Sequence, residues 1–489
     1  MIATSMSASP IAESAAVPKS VLTVAPMPPE KLAYALARYS RSPDSIRDSI
    51  EWVKTHDSAK FLESFYFQYG HASIADLGHL AVCFEGISEL AATEIEDEQL
   101  WDGQARSSRY QDFSKSSVVV PPEFSTEEAE LYRGAAHRLL DAYRVVHKRA
   151  LAALEEKLPK PDDMKPEAYR RNLAARAFDA ARYLLPFGIP TGVGQVTSIR
   201  TLERQVGRLK ASEFQELRDL AQELADACAA PPVCEWGNEP QELVAPTLAR
   251  HADADEYPVR LRQQIRQWAD QNLPAASGGG SKTVDLIQPG DHVADLCATL
   301  LYPVTNRSYR ELYDHIREWP NEKRKEVIDL ALSTRERRDE LPKQFRCAPY
   351  VLDIVMDIGA YRDLHRHRRC QQLRQVYTNA LGYEVPNLVA ECGAEPEYRA
   401  ALKQADEAIE KLSQPGAQYA LPFAARSRFL FKMDFAELEY IARLRSGVKG
   451  HFSYRKVAWE MKLALDEVDP LLGALVKATP PWVEDPLKR

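Results

Sequence analysis

Five arginines and two histidines lie between Arg362 and Arg374, inside the stretch YRDLHRHRRCQQLRQVYTN that runs from Tyr361 to Asn379. The chain as a whole carries a net charge of −8, so this basic run is a local excess. A helix over Met356–Arg368 makes Arg362 and Arg366 i,i+4 neighbours whose like charges repel, with Asp363 offsetting only part of the cost. Such a cluster needs water or an anion. A solvated helix end is the plain account; a seat for phosphate or an anionic cofactor, where guanidinium forks meet oxygens in pairs, is the chemical one. Arg445 is the second candidate. Phe435, Leu438, Ile441 and Ala442 form an apolar stripe at helical spacing over Asp434–Arg445, Arg445 falls on that stripe, and Gly447 ends the helix. A cation facing a core calls for an anion, because an unpaired buried charge is expensive. Complementing the helix C-terminus is the alternative role.

Stepping along the chain gives the elements that must hold these groups. Lys31–Tyr39, Asp44–Lys54 and Lys60–Tyr69 read as short helices, followed by Gly70-His71-Ala72-Ser73. Leu80, Val82 and Phe84 alternate as in a strand, which Gly86 breaks. Ser88 then caps a helix running through Glu98, with an acidic tip at Glu94, Glu96, Asp97 and Glu98. Beyond Gln104 comes Ser107-Ser108-Arg109-Tyr110, where an extended strand places Ser107 and Arg109 on one side. Thr126–Lys157 and Pro166–Leu185 are amphipathic. Pro186 stops the second and leaves Arg182 about one turn from a helix end. Leu202–Arg208 and Glu213–Cys228 are further helices. Later come helices at Leu296–Tyr302, Tyr309–Trp319, Glu322–Arg338 and Glu397–Leu412, and a buried strand at Tyr350–Val355.

The pattern begins twice. Ala275–Ser281 is the clearest linker, and residues 273–283 divide a first lobe (29–272) from a second (284–489). Residues 1–28, rich in Ala, Ser and Pro, read as a disordered tail without the layout of a secretory signal. Ile87–Tyr110 lies over Met356–Asn379 without a gap, which sets Asp97-Glu98-Gln99 over Arg366-His367-Arg368. Leu185-Pro186 lies over Leu421-Pro422.

Composition narrows the function classes. Hydrophobic residues at 45% and charged residues at 27% are ordinary for a globular chain. The acidic balance and the lack of aromatic interleaving around Arg362–Arg374 argue against a nucleic-acid binder. Seven scattered cysteines, with no C-x-x-C pair, indicate neither a metal site nor a disulfide framework, and a reduced cytoplasm is the simplest home. No apolar run approaches a membrane span.

Arg366-His367-Arg368 with its polar sequel, Gly70-His71-Ala72-Ser73, Ser107-x-Arg109-Tyr110, Ala181-Arg182-x-x-Leu185-Pro186 and Leu444-Arg445 together resemble the flavin-dependent thymidylate synthases. The resemblance implies an α+β, helix-rich fold of two similar lobes, each a small, mostly antiparallel sheet flanked by helices. That family joins Arg-His-Arg to Ser-x-Arg-Tyr in one signature; here each half keeps only one part. Lobe one keeps Ser107, Arg109 and Arg182. Lobe two keeps the basic triplet and Arg445, while Val376, Thr378, Asn379 and Gln418 replace the rest. A hybrid site is therefore expected. Ser107, Arg109, Arg182 and Arg366 would hold the phosphate of deoxyuridine monophosphate, and Arg445 would act at the uracil ring as the catalytic cation. His71, Ser73, Arg366, His367 and Arg368 would meet FAD. Methylenetetrahydrofolate and NADPH are the implied co-substrates, and a homodimer is the four-lobe equivalent of the family's tetramer. Glu94 and Asp363 stand where the family has a glutamine, and Asp434 and Ala436 replace an Asn-x-Arg pair that helps hold flavin. A degenerate flavin- or nucleotide-binding scaffold, or one-carbon transfer to another pyrimidine nucleotide, is the competing expectation.

Overall fold

The alternation at Leu80, Val82 and Phe84 becomes β1 (His79–Ser88), an edge of a three-stranded antiparallel sheet. In it β3 (Pro190–Ser198) lies between β1 and β2 (Trp101–Ala105). A second sheet repeats that order, with β6 (Arg426–Met433) between β4 (Tyr350–Asp357) and β5 (Gln371–Arg374). The computed structural model describes residues 27–39, 45–62, 72–98, 100–109, 111–229, 257–273, 290–305, 307–336, 339, 341–485 and 487. The Ala275–Ser281 linker, the first 26 residues and His71 lie outside them. The fold is α+β and helix-rich, with two sheet-bearing lobes around one continuous hydrophobic core.

The two lobes match locally. Ser88 closes β1 and caps the Glu89–Ile95 helix, its Oγ accepting from the Ala91 N–H at 2.9 Å. Asp357 closes β4 and caps the Ile358–Leu364 helix, its Oδ1 accepting from the Ala360 N–H at 2.7 Å. The ungapped superposition of Ile87–Tyr110 on Met356–Asn379 pairs these two caps, and the same register lays β2 over β5.

The lobes meet through their Leu-Pro segments. Pro186 and Pro422 form an antiparallel bridge. Proline has no N–H to give, so the bonds fall on its neighbours. Phe187 N–H donates to the Leu421 carbonyl at 2.8 Å, and Phe423 N–H donates to the Leu185 carbonyl at 3.0 Å. Gly188 N–H donates to Tyr419 at 2.9 Å, and Ala424 N–H to Tyr183 at 3.1 Å. Each bond has a counterpart with the lobes exchanged, which is the pattern of a two-fold isologous contact, here inside one chain. The Thr126–Lys157 and Glu395–Ile409 helices pack together across the same junction.

Several local expectations are corrected. Gly86 does not end β1: at φ +68° it forms a bulge, the register shifts between Glu85 and Ile87, and the strand continues to Ser88. The helix that Ser88 caps stops at Ile95 and does not reach Glu98. Met356 belongs to β4, and the following helix ends at Leu364. The basic triplet therefore occupies turns, and Arg362 and Arg366 do not stack on one helical face. Ser107 and Arg109 lie past the end of β2 in a turn, so they share no strand face. β4 is covered on one side only, leaving Val351 59% and Val355 43% exposed, as expected for a sheet with one core-facing side. The Tyr257–Asn272 helix, read as the end of the first lobe, packs on the second lobe: Tyr257 Oη donates to the Ala331 carbonyl at 2.8 Å and Trp268 Nε1 to Glu326 at 2.6 Å.

Candidate active site between the lobes

Arg109 leaves the turn after β2 and reaches into the other lobe. Its Nε and Nη2 donate to the two carboxylate oxygens of Asp179 at 2.7 and 3.1 Å, a bidentate pair. Its Nη1 donates to Tyr454 Oη at 3.3 Å and its Nη2 to the Lys449 carbonyl at 3.3 Å. Asp179 sits on the Pro166–Ala181 helix of lobe one, and Tyr454 on the Phe452–Val468 helix of lobe two. On Tyr454 the two lobes' arginines converge, for the Arg445 guanidinium lies over its ring, 5.6 Å from the centroid. Arg445 Nε in turn donates to His367 Nε2 at 2.8 Å. Because Nε2 accepts, the neutral ring carries its proton on Nδ1, which faces Glu437 at 3.3 Å. Burial lowers the His367 pKa and outweighs Glu437, with Arg445 adding to the lowering, so the ring is neutral near pH 7.

Behind this chain lies a knot of charges. Arg182 is 1% exposed, and its Nη2 donates to Asp363 at 3.1 Å and to the Gly359 carbonyl at 3.4 Å. Its Nε has no hydrogen-bond partner among the described residues. Burial pushes the Asp363 carboxyl up, but Arg182, Arg362, Arg109 and Arg366 together hold it at about 2. Arg362 pairs with Glu89 and also donates to Ser108 Oγ at 2.9 Å. Glu96 sits nearby with its carboxyl raised to about 7, chiefly by burial, with Glu89 and Asp363 adding to the rise and Arg366 and Arg362 opposing it.

On the second lobe's side of His367 a cavity of about 250 Å³ opens between the triplet turn and the start of the Phe435–Arg445 helix. Arg366, His367 and Arg368 line one wall, Ala436 and Tyr440 the other. Arg368 is drawn aside, paired with Asp102 at 2.5 Å and lying over the Trp101 ring.

Of the residues singled out from sequence, Arg109, Arg182 and Arg366 gather around Asp363, while Arg366, His367 and Arg368 line the cavity and Arg445 bonds His367. Ser107 does not join them: among the described residues its Oγ accepts only from the Arg109 N–H, at 3.3 Å, and the neighbouring Ser108 meets Arg362 instead. Ser73 lies in the 3-10 turn Ala72–Leu77, far along the chain from these contacts. Asp179, Glu89 and Tyr454 escaped sequence reading as site residues, and Glu96 was read only as part of an acidic tip. Asp179, one helical turn before Arg182, carried the only usable signal, a carboxylate spaced to share a face with a buried cation.

Across the junction the matching positions hold different chemistry. Arg208 donates to Glu98 at 3.1 Å, and Glu98 matches His367, so Arg208 is the counterpart of Arg445 by contact. Arg374 pairs with Glu94, the counterpart of Asp363, and lies over the buried ring of Tyr377.

Among the described residues no helix is long and apolar enough to cross a membrane, and no three His, Cys, Asp or Glu side chains are grouped to hold a metal ion. Known proteins resemble the chain along most of its length. The UPF0159 proteins of Chlamydia pneumoniae and Chlamydia muridarum are 27% and 28% identical over 437 residues, which cover 86% of this chain and 80% and 81% of theirs. A UPF0159 protein of Thermoplasma acidophilum is 25% identical, covering 90% of this chain and 94% of its own. Among solved structures, the flavin-dependent thymidylate synthase of Helicobacter pylori complexed with FAD and dUMP aligns at a TM-score of 0.27 and 17% identity, covering 41% of this chain and 89% of its own. The family described as thymidylate synthase complementing protein matches residues 22–231 and again residues 289–471, once on each lobe. With both lobes matched, the chain belongs to that family, the flavin-dependent thymidylate synthases its motifs resemble.

Proposed function

We propose that this protein is a flavin-dependent thymidylate synthase, methylating dUMP to dTMP with methylenetetrahydrofolate and NADPH at a composite site between its lobes. The observation that carries the reading is the contact chain from Arg109 of lobe one through Tyr454 to Arg445 and His367 of lobe two. Each lobe supplies the family residues its partner has lost, and they meet. The matched caps and reciprocal Leu-Pro bonds support descent of the two lobes from one duplicated ancestor.

In this reading Arg109 and Arg366 meet the nucleotide phosphate, with Arg182 behind them paired to Asp363. Arg445, already fixed by His367 and the Tyr454 ring, stabilises negative charge that develops on the uracil ring. A bound flavin supplies the hydride chemistry. Its fit is partial and specific: the cavity is smaller than the roughly 300–1,000 Å³ usual for a whole ligand, so it takes one end of the cofactor. Its arginine-rich lining suits a phosphate-bearing end. A cytoplasmic homodimer is the assembly that this reading favours.

One observation favours the second reading, a degenerate nucleotide- or flavin-binding scaffold. Asp179 and Asp363 occupy the guanidiniums expected to bind phosphate. Around Asp363 four arginines (109, 182, 362, 366) face four carboxylates (Asp179, Asp363, Glu89, Glu96), so the phosphate must enter a neutralised cluster. Purified full-length protein separates the readings. Oxidised-flavin absorbance with dTMP formation from dUMP, folate and NADPH is the expected result. Flavin binding with no turnover on dUMP sinks the enzyme reading in favour of the scaffold, or of transfer to another pyrimidine nucleotide if one of those turns over. Absence of both flavin and turnover sinks each.

A further inference from the structure

The cavity beside His367 has lost the pair that would hold flavin in the family. Asp434 caps the Phe435–Arg445 helix, its carboxylate accepting from the Glu437 N–H at 2.9 Å, and Ala436 offers only a methyl group. Neither can grip a phosphate. Two arginines outside every family motif line the same cavity. Arg346 follows the 3-10 turn Lys343–Phe345 ahead of β4, and Arg369 follows the triplet directly. Both are exposed, and neither side chain makes a hydrogen bond or ion pair among the described residues. Both stand close enough to Asp434 to oppose the rise that burial gives its carboxyl.

Charge and backbone agree on what belongs there. Five of the lining side chains are arginines and three are carboxylates, an excess of two positive charges with His367 neutral. The Phe435–Arg445 helix, 11 residues long, brings its first turn to the space at Ala436, with the Glu437 N–H already taken by Asp434. A volume of about 250 Å³ is too small for a whole dinucleotide but ample for a pyrophosphate and part of a sugar.

We infer that Arg346 and Arg369 hold the pyrophosphate of a dinucleotide in this cavity, replacing the grip lost at positions 434 and 436. Two guanidiniums arriving from different segments clamp the two phosphates, while the triplet stays turned toward the reacting groups. The inference rests on the flavoenzyme reading for the expectation that the dinucleotide is FAD; NADPH presents the same pyrophosphate, and the test separates them.

Fluorescence titration of the full-length apoprotein with FAD, with riboflavin (which has no phosphate) and with NADPH supplies the test, and melting temperatures check that the exposed substitutions leave the fold intact. Arg346→Ala and Arg369→Ala each weaken FAD by about tenfold and together by fiftyfold or more, while riboflavin binds wild type and double variant alike. Raised salt weakens FAD in the wild type and less in the double variant. Loss confined to NADPH keeps the clamp and assigns it to the reductant. Unchanged FAD and NADPH affinity in the double variant, with the wild type binding both, overturns the clamp and leaves the flavoenzyme reading standing. Equal loss of FAD and riboflavin also overturns it, since the arginines then act on something other than phosphate. A wild type that binds none of the three overturns clamp and flavoenzyme reading together.

Discussion

The two sides of the Leu-Pro junction begin from matched backbone and end in opposite chemistry. On one side, Arg109 and Arg445 meet on Tyr454, and Arg109, Arg182 and Arg366 are balanced by Asp179 and Asp363. On the other, Asp97 and Glu98 replace Arg366 and His367, and Arg208 and Arg374 fold onto Glu98 and Glu94 as structural ion pairs. The second side is finished: Tyr377 is 3% exposed and fills the place matched by Ser108, and each cation has its carboxylate. The first side keeps an exposed arginine, Arg366, and opens on a cavity. A duplicated frame needs only one of two sites to work. The other is then free to convert its charges into adhesion between lobes.

Stability should separate the sides most strongly. Arg182→Ala strips the half-buried Asp363 of its paired cation and should cost about 3 kcal/mol, near the lower end for breaking a buried pair. On the opposite side Arg208 is 34% exposed, so Arg208→Ala should cost about 1 kcal/mol or less. Urea midpoints read both. Equal losses would mean that the two clusters do the same structural work and that their asymmetry is superficial.

Catalysis should separate them next. Arg445→Ala should lower kcat by about 10²–10³, the effect of removing one preorganised stabiliser of developing charge. Its counterpart substitution, Arg208→Ala, and Asp97→Ala should leave kcat within about twofold once corrected for folded fraction. Steady-state rates of dTMP formation decide it. A loss on Asp97→Ala comparable to that on Arg445→Ala would show that the second side is a working site.

Element order and the repeated frame were legible because they rest on periodicity, caps and ungapped spacing, whereas the expectation of a shared site for Arg109 and Arg445 came from the family resemblance alone. Ser88 and Asp357 announce helix starts in any context, and Leu-Pro marks a backbone that must give up one hydrogen bond. The contacts that neutralise the arginines were not legible. Asp179 and Glu89 look like ordinary helix carboxylates until folding brings them to Arg109 and Arg362 from 70 and 273 residues away. Ser107 and Ser108 differ by one position, and whether that segment is strand or turn decides which of them reaches the other lobe. Gly86 shows the same limit: a glycine in a strand marks either an end or a bulge, and only the partner strand chooses.

The smallest effect contrasts two matched positions by the sign of their pH dependence. Glu96 and His365 occupy corresponding places, each buried just ahead of the Arg366 and Asp97 positions. The folded Glu96 carboxyl is raised to about 7, so between about 4.5, its unfolded value, and 7 the native state holds a proton that the unfolded chain has released. Stability from this group therefore falls as pH rises through that window and stays low above it. His365 runs the other way. Burial lowers its pKa, with Asp97 opposing, so below about 6.5 the unfolded chain binds a proton that the native state refuses, and stability falls as pH drops. Glu96→Gln should thus gain on wild type as pH rises from 4.5 to 7, by about 1–3 kcal/mol, and then hold level. His365→Gln should start lower, having lost the contacts of Nδ1 with Tyr361 and Gln372, and should close on wild type as pH falls below 6.5. Nucleotide binding carries the same signature on one side only: a protonated Glu96 turns the four-against-four cluster positive, so dUMP affinity should fall above pH 7 in wild type and hold steady in Glu96→Gln. Parallel pH slopes for the two stability differences would erase the distinction between the sides that their charges imply.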